Sequence, residues 1–412
     1  MNKLRVLRSS NIFLILSGYQ MHWFDTRLQS YRISLAGAVN VFILACIYAG
    51  CFAQHFQPSA MLKTLHDVSP FLYGLTRMHL LLSVKVFSYA IYASVRTVGV
   101  VNSYTETLPT RATRERGDFK EELIAHGLIY STHLVLFCFA LYIGYEMHFK
   151  LPPLQDAMIG FALFLPHLVL AGALRFYCIL AWITRSRLRQ LSSEMEELLN
   201  ANKIKTEMHP MTGITVAVET AATPTTPSTE DNFRSQCQQL QQLAARFGAI
   251  FGSLQHSLLL LLGVNGNCLL FGIYAFTYYS STWHVLFEQR KRRIFYAGNV
   301  LIYACIACDY ICLLISQTSL EQQRLEFLSK LNSALQQRTL LTKRMRSTVK
   351  DMRSILWHHF HFKFLSVWRF DLANFSLLQM LQFFVIAIIV IYHYLNDAIQ
   401  VINDNLDSSN DE

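Results

Sequence analysis

Three ionisable residues, Lys85, Arg175 and Asp309, lie inside stretches of the chain that are otherwise apolar. A charge in such surroundings is costly to desolvate, so it usually marks an interior site where it has a partner. The three positions have similar depths in their stretches, which predicts a structural ion pair between Asp309 and either Lys85 or Arg175. The alternative is that the two basic side chains extend to the lipid head groups.

A second group combines aromatic rings with hydrogen-bonding tips, two histidines, one arginine and one amide. Aromatic walls with a few polar groups are typical of small-molecule pockets, and we predict a ligand-binding site here. The alternative is an interfacial belt of tyrosines, and for Arg77 a contact with Glu146. The predicted ligand-binding residues are Tyr73, Arg77, His79, Tyr142, Tyr145, His167, Tyr274, Tyr278, Tyr296 and Asn299.

The last apolar stretch, residues 374–395, carries a third group. On a helix, Phe384, Ile388 and Ile391 share one face, Tyr392 lies beside it, and His393 and Tyr394 lie at the outer end. One helix per chain can line a pore only when several chains surround an axis, and a ring of apolar side chains can then gate by dewetting. The six residues are predicted to line a pore. The alternative is a helix that faces lipid.

Two clusters resemble metal sites. Cys305, Cys308 and Cys312 share a helix face, and His358, His359 and His361 lie close together in sequence. We interpret the thiols as packing residues and the histidines as part of a belt beside the membrane, so no metal and no cofactor is expected. The sequence has no Gly-rich phosphate loop, no GxSxG and no HExxH, which argues against an enzyme.

Composition indicates that these groups lie in a membrane protein. The 412 residues are 52% hydrophobic and 15% charged, whereas soluble proteins carry about 25% charged residues. The net charge of +9 does not require nucleic acid, because membrane proteins concentrate Lys and Arg on cytoplasmic loops. The expected surroundings are a lipid bilayer, with no nucleic acid partner.

Seven apolar segments are long enough to span a bilayer, for which about 20 helical residues are needed. A backbone in lipid must satisfy its own hydrogen bonds, so the predicted class is an all-α membrane protein with seven transmembrane helices. The segments are 33–54, 70–94, 127–148, 157–184, 256–280, 294–316 and 374–395.

Basic residues are concentrated in the N-terminal arm and in the loops after segments two, four and six. The positive-inside rule therefore predicts a cytoplasmic N terminus and an extracellular C terminus. The run Arg290–Arg293 is the exception to this distribution. We interpret it as a tolerated violation of the rule; the alternatives are a site for an anionic partner or lipid head groups, or a basic protease site.

Helices four to seven are predicted to extend into the cytosol. Apolar stripes at helical spacing follow segment four, precede segment five (238–251) and occupy 320–358, so they need partners in the same chain or in other subunits. We divide the chain into residues 1–316, with helices one to six, an outer ligand pocket and a flexible cytoplasmic loop at 206–231, and residues 317–412, with an anchor helix, helix seven and a short outer tail.

Several stretches resemble the insect gustatory receptor family. LFLPHLVLAGALRFYCILAWITRSRLRQLSSEMEELL is similar to its fourth helix, QQLAARFGAIFGSLQHSLLLLLGVN to the entry into its fifth, and RFDLANFSLLQ to the start of its last. The sequence departs from the family's mark of Thr-Tyr, five apolar residues and Gln-Phe: Phe384-Val385 and Ile391-Tyr392 occupy those places, or His393-Tyr394 in a register shifted by two.

The resemblance implies a ligand-gated, non-selective cation channel in the plasma membrane of sensory neuron dendrites. It implies a tetramer, homomeric or with related receptors, in which segment seven lines the pore and a small-molecule tastant binds among the outer halves of segments two to six. A G-protein-coupled receptor is the main alternative, but it needs an extracellular N terminus, and the chain lacks Asp-Arg-Tyr and Asn-Pro-x-x-Tyr motifs. A membrane transporter is the other alternative, disfavoured because no internal repeat is apparent.

Overall fold

The computed structural model describes residues 10–410 except 13, 26, 29, 106–117, 148–152, 209–228, 280–288, 338–340, 362, 365–367 and 370–371. Long helices dominate this part of the chain. They are α1 (Leu35–Gln54), α2 (Ala60–Val68), α3 (Pro70–Thr105), α4 (Asp118–Glu146), α5 (Leu154–Met208), α6 (Thr229–Tyr279), α7 (Gln289–Gln336), α8 (Lys343–His358) and α9 (Leu372–Asn410).

Six of these helices, α1, α3, α5, α6, α7 and α9, are long and apolar enough to cross a membrane. They contain six of the seven predicted segments. The third predicted segment lies in α4, where several side chains fall outside the described residues. The prediction of a helical, multi-pass membrane protein is therefore confirmed, with six of the seven predicted spans found as candidate spans.

Helix α5 is the central element of the fold. Every residue from 169 to 184 is buried, as expected for a helix that is apolar on all sides. Its 55 residues give a length of about 80 Å, whereas the hydrocarbon core of a bilayer is about 30 Å thick. A large part of α5 therefore projects beyond any membrane it crosses, as predicted from the stripe after Thr184.

The projecting parts of α5, α6 and α7 pack together, and α8 packs against α6 and α7. Most residues of their apolar stripes are buried within the chain, although Leu325 is exposed. The buried residues are Leu188, Leu191 and Met195 of α5, Leu240, Leu243 and Phe247 of α6, Leu328 and Leu331 of α7, and Met345, Val349, Met352 and Leu356 of α8.

Two helix boundaries correct the sequence-based expectations. The stripe at 320–358 is divided between α7 and α8, because the Thr342 side chain accepts a hydrogen bond from Met345 N and so caps a new helix. The predicted loop at 206–231 is helical at both ends, since α5 reaches Met208 and α6 begins at Thr229. Positions 209–228 lie outside the described residues.

Two short antiparallel hairpins depart from the purely helical prediction. Strands β1 (His22–Asp25) and β2 (Ser30–Ile33) precede α1, and β3 (Lys363–Phe364) and β4 (Trp368–Arg369) precede α9. Ile33 therefore ends a strand, and α1 begins at Leu35 with Ser34 as its N-cap. The side chain of Asn102 in α3 holds β2, accepting from Tyr31 N at 2.6 Å and donating to Tyr31 O at 3.0 Å.

The chain leaves α8 through an unusual backbone conformation. Phe360 has a φ of +64°, in the left-handed region that non-glycine residues seldom adopt. Its ring is buried and lies 5.4 Å from the ring of Phe247 in α6. This contact joins the exit from α8 to α6.

A cluster of charged side chains lies at the end of α8, where it contacts α7 beyond the apolar part of that helix. Arg324 pairs with Glu321 and donates to Leu356 O at 2.9 Å, and His361 Nδ1 lies 3.3 Å from Glu321. Partial burial raises the pKa of Glu321, but hydrogen bonds from His361 and Arg324 outweigh it and bring the pKa to about 2. The histidine cluster of the sequence thus contributes His361 to an ion-pair network.

Helix α9 is the least covered of the candidate spans. In its most apolar window 6% of the positions are buried, against 22–56% in the other five. It also continues to Asn410, so most of the predicted short tail is helical. A long apolar helix with so little cover needs lipid or other chains around it.

Candidate functional site

A cavity of about 260 Å³ lies between α3, α4, α5, α6 and α7. Its lining residues recur at intervals of three or four along each helix, so each helix contributes one face. They are Leu75, Thr76 and His79 of α3, Phe139 of α4, Gly160, Leu163, Phe164 and His167 of α5, Asn267, Cys268 and Phe271 of α6, and Gly298, Leu301 and Ile302 of α7.

Few polar side chains interrupt this mostly apolar wall. His79 Nε2 lies 3.0 Å from Leu163 O, and its ring stacks on that of His167 with centroids 5.9 Å apart. Asn267 is buried and donates to Leu75 O at 3.2 Å. Its Oδ1 is buried and has no hydrogen-bond partner among the described residues.

Two of the ten predicted ligand-binding residues, His79 and His167, line the cavity. Thr76, Asn267, Cys268 and the Leu, Ile, Phe and Gly residues of the wall were missed. These residues recur at helical spacing in apolar stretches. The sequence-based selection looked for aromatic residues with hydrogen-bonding groups and so did not include them.

Tyr73 and Arg77 form a separate contact. Arg77 Nε donates to Tyr73 Oη at 2.9 Å, and the guanidinium lies 5.3 Å from the ring centroid of Phe56. Neither residue lines the cavity. The alternative partner proposed for Arg77, Glu146, instead has Arg293 Nη1 at 3.7 Å.

The two predicted tyrosines of α4, Tyr142 and Tyr145, lie outside the cavity, and both are exposed. Tyr142 Oη donates to Glu146 at 3.2 Å, while Tyr145 is among the most exposed large side chains of its helix. Together with the contact between Glu146 and Arg293, they form a polar group at the end of α4 and the start of α7. Side chains 290–292 of the basic run lie outside the described residues.

The remaining predicted residues pack between helices. Tyr274 is buried, with its ring 4.6 Å from Phe71 and 5.2 Å from His393. Tyr296 packs edge-on against Phe276 at 6.0 Å. Asn299 is buried beside Gly272: a Cβ added at Gly272 would lie 3.2 Å from Asn299 Oδ1. The side chain of Tyr278 falls outside the described residues.

The structure brings Arg175 and Asp309 together, with Arg175 Nη2 2.9 Å from Asp309 Oδ1 and both side chains buried. Thr132 and Ser131 of α4 accept hydrogen bonds from the same guanidinium nitrogen. Lys85 is exposed and lies outside this network. Three helices, α4, α5 and α7, therefore meet at one buried polar centre.

The predicted pore residues divide between two sides of α9. Phe384, Ile388, Ile391 and Tyr392 are exposed. His393 packs against Phe71 of α3, with ring centroids 4.4 Å apart, and so faces the body of the chain. Tyr394 remains partly exposed and donates to Thr277 O of α6 at 2.9 Å.

No protein-family model and no curated protein sequence matches the chain. Its fold is similar to a solved structure of the insect olfactory receptor OR5 from Machilis hrabei, with a TM-score of 0.55 and 12% identity over 93% of this chain and 97% of that one. The structure of the same receptor in complex with eugenol gives a TM-score of 0.57 and 11% identity over 95% and 99%. The chain is a multi-pass membrane protein with an insect olfactory receptor fold.

Proposed function

We propose that this chain is a subunit of a chemosensory receptor that acts as a ligand-gated, non-selective cation channel. The gustatory type is favoured by the sequence resemblances in the fourth, fifth and last helices. Its proposed location is the plasma membrane of sensory neuron dendrites. Seven transmembrane helices are proposed, with α4 as the third.

The observation that carries this proposal is the exposure of α9. Phe384, Ile388 and Ile391 lie on a face that the rest of the chain does not cover, although α9 has the most apolar window of the candidate spans. Four copies around an axis would bring these faces together as a narrow apolar pore, which can close by dewetting. His393 is left out of this pore lining, because it packs on Phe71 and Tyr274.

The cavity between α3 and α7 is the proposed ligand site. A sugar would leave many hydroxyl groups without partners in a wall made mostly of Leu, Ile, Phe and Gly, and each unpaired group costs free energy. A mostly apolar molecule with one hydroxyl or amine fits better, because it would leave fewer such groups unpaired. The receptor structure that contains eugenol supports a small organic ligand.

The proposed orientation has the N terminus in the cytoplasm and the C terminus outside. It follows from the distribution of Lys and Arg. Epitope tags at the two ends test it in intact cells: antibody should reach the C-terminal tag without permeabilisation and the N-terminal tag only after it. An N-terminal tag that stains in intact cells would exclude this orientation and the channel assembly that depends on it.

Cysteine substitution tests the pore directly. Cells that express the chain, alone and with related receptors, are screened with a panel of small apolar alcohols and amines while G-protein signalling is blocked. For an activating ligand, Ile388→Cys should give currents that a charged, membrane-impermeant thiol reagent blocks. Ile386→Cys is the matched control, since Ile386 lies two positions away and is buried.

The pattern of block decides the outcome. Block of Ile388→Cys with little effect on Ile386→Cys supports a pore lined by the exposed face of α9. Equal sensitivity, or none in either variant while currents persist, rejects it. A ligand response that disappears when G-protein signalling is blocked favours the receptor alternative.

A further inference from the structure

One wall of the cavity brings together three side chains that can bind a metal ion. His79 of α3, His167 of α5 and Cys268 of α6 each offer a ligand atom, and these atoms all lie within 4.8 Å of one another. His167 Nε2 is 3.1 Å and His79 Nδ1 is 3.8 Å from Cys268 Sγ. In the part of the chain that the structure describes, no other group of His, Cys, Asp or Glu meets this spacing.

The hydrogen bond of His79 fixes which nitrogen faces the thiol. Leu163 O can only accept, so the Nε2 atom 3.0 Å away carries the proton. Nδ1 then keeps its lone pair and points towards Cys268. A metal-binding histidine usually has this arrangement, with its second nitrogen donating to a carbonyl that orients the ring.

The distances suit a tetrahedral ion. With metal–sulfur bonds of about 2.3 Å and metal–nitrogen bonds of about 2.0–2.1 Å, neighbouring nitrogen and sulfur ligands are about 3.5 Å apart. The observed 3.1 and 3.8 Å lie on either side of that value. Both nitrogen–sulfur distances are therefore close to those of a tetrahedral site, and all three ligand atoms lie within 4.8 Å of one another.

We propose that His79, His167 and Cys268 form a binding site for a thiophilic divalent cation, with Zn²⁺ the best match. Two imidazoles and one thiolate suit Zn²⁺, whereas Mg²⁺ and Ca²⁺ prefer oxygen ligands. On binding, the S–H bond of Cys268 breaks, a sulfur–metal bond forms and the proton leaves to solvent, so the ion and its three ligands carry one positive charge.

The fourth position would be open to the cavity, which at about 260 Å³ has room for water or a small molecule, since one water occupies about 30 Å³ in the liquid. If the proposed ligand site is correct, a ligand and the ion share one space. Zn²⁺ should then change the response to the ligand. This consequence rests on the proposed function, whereas metal binding does not.

Binding is measured on the full chain, purified in detergent with a phosphine reductant and freed of metal with a chelator. We expect calorimetric titration with Zn²⁺ to give one equivalent per chain. Co²⁺, added in its place, should produce the absorption of a thiolate-bound ion. Cys268→Ala should abolish that absorption, and His167→Ala should weaken Zn²⁺ binding by more than the roughly 10–100-fold loss typical of outer-shell substitutions.

Two control variants separate the site from general loss of thiol or imidazole. Cys305→Ala removes a buried cysteine of α7, and His256→Ala removes an exposed histidine of α6, both outside the cluster. Both should bind Zn²⁺ as the parent chain does. A variant is compared with the parent chain only if it elutes at the same volume in size-exclusion chromatography. If His167→Ala does not fold by this criterion, His167→Gln replaces it.

The proposal is overturned if the folded parent chain binds no Zn²⁺, or if Cys268→Ala and His167→Ala bind it unchanged. The cluster is then held by hydrogen bonds alone. Ligand-evoked currents with and without Zn²⁺ form a separate arm. If the chain binds Zn²⁺ but the ligand-evoked current does not change, the metal site stands and the idea that ion and ligand share the cavity is rejected. If no current is seen at all, that result counts against the proposed channel and not against the metal site.

Discussion

Arg175 and Asp309 form a buried ion pair at 2.9 Å that joins α5 to α7. Removing one member of such a pair leaves an uncompensated charge, which typically costs about 3–5 kcal/mol. We expect Asp309→Lys to lower folded yield and melting temperature strongly. Arg175→Asp in the same chain should recover much of the loss, because it again places opposite charges in the same buried centre.

Lys85→Asp is the control for this charge swap, because Lys85 is not part of the ion pair. Asp309→Lys combined with Lys85→Asp should melt no higher than Asp309→Lys alone, by tryptophan fluorescence in detergent. Recovery by Lys85→Asp, or none by Arg175→Asp, would show that the pair does not control stability in this way.

Filling the cavity should remove the ligand response while leaving the fold intact. At Gly298, which lines the cavity, an added Cβ would meet no atom within 4 Å. Leu is also a better helix former than Gly by up to about 1 kcal/mol. We expect Gly298→Leu to reach the cell surface normally and to need at least about tenfold more ligand, equivalent to about 1.4 kcal/mol.

Gly263→Leu is the matched substitution, because a Cβ there also meets nothing within 4 Å and Gly263 is not part of the cavity wall. It should respond as the parent chain does. A normal dose–response curve for Gly298→Leu would remove the cavity from the binding mechanism.

The close approach of α6 to α7 depends on a glycine. A Cβ at Gly272 would lie 2.5 Å from the hydroxyl of Tyr303. Overpacking of this kind costs about 1–3 kcal/mol, so Gly272→Ala should lower the melting temperature. Tyr303→Phe removes the nearest clashing atom, so Gly272→Ala should cost less in the Tyr303→Phe background than in the parent chain, although Tyr303 Cζ at 3.1 Å and Asn299 Oδ1 at 3.2 Å stay close. Additive losses in the double variant would contradict this explanation.

The network at the end of α8 predicts a specific sensitivity to acid. The pKa of Glu321 is held at about 2, below its ordinary value of 4.5. A carboxyl group with a depressed pKa contributes stability that is complete above its unfolded pKa and is lost as the pH falls towards the folded value. Melting of the parent chain should therefore fall more steeply between about pH 4.5 and pH 2 than melting of Glu321→Gln.

Glu321→Gln should be the less stable chain at pH 7, because buried Arg324 loses its charged partner, and the two melting curves should converge at low pH. Parallel curves over the whole range would mean that Glu321 does not carry the acid response. Lys330→Gln, which alters an exposed pair with Glu196, is a control that leaves the network in place.

Long elements were predictable because their signals are periodic. The apolar runs and the stripes beyond Thr184 identify the helices. The cost of buried charge identifies Arg175 and Asp309, although the same argument also selected Lys85, which is exposed. The hairpins β1–β2 and β3–β4 were missed, because two to four residues carry too little alternation to be recognised. The division between α7 and α8 depends on one capping hydroxyl at Thr342.

The cavity was harder to predict than the helices. His79 and His167 were found because histidine is unusual inside an apolar stretch. Asn267 and Cys268 occupy one turn of α6 and have no distinctive pattern. Tyr73 and Arg77 belong to α3, which also lines the cavity, but they lie on another face of that helix. Which face of α3 meets α5 and α6 is decided by packing among five helices, and no single stretch of sequence contains that information.

The left-handed Phe360 gives α6 a contact with the exit from α8, in addition to its contact with α9. Near one end of α6, Tyr274 touches His393, and Phe247, about 40 Å away along the helix axis, holds the ring of Phe360. Asn267 and Cys268 lie between these two anchorages. A displacement of α6 along its axis would therefore be transmitted to two separate places, the middle of α9 and the exit from α8.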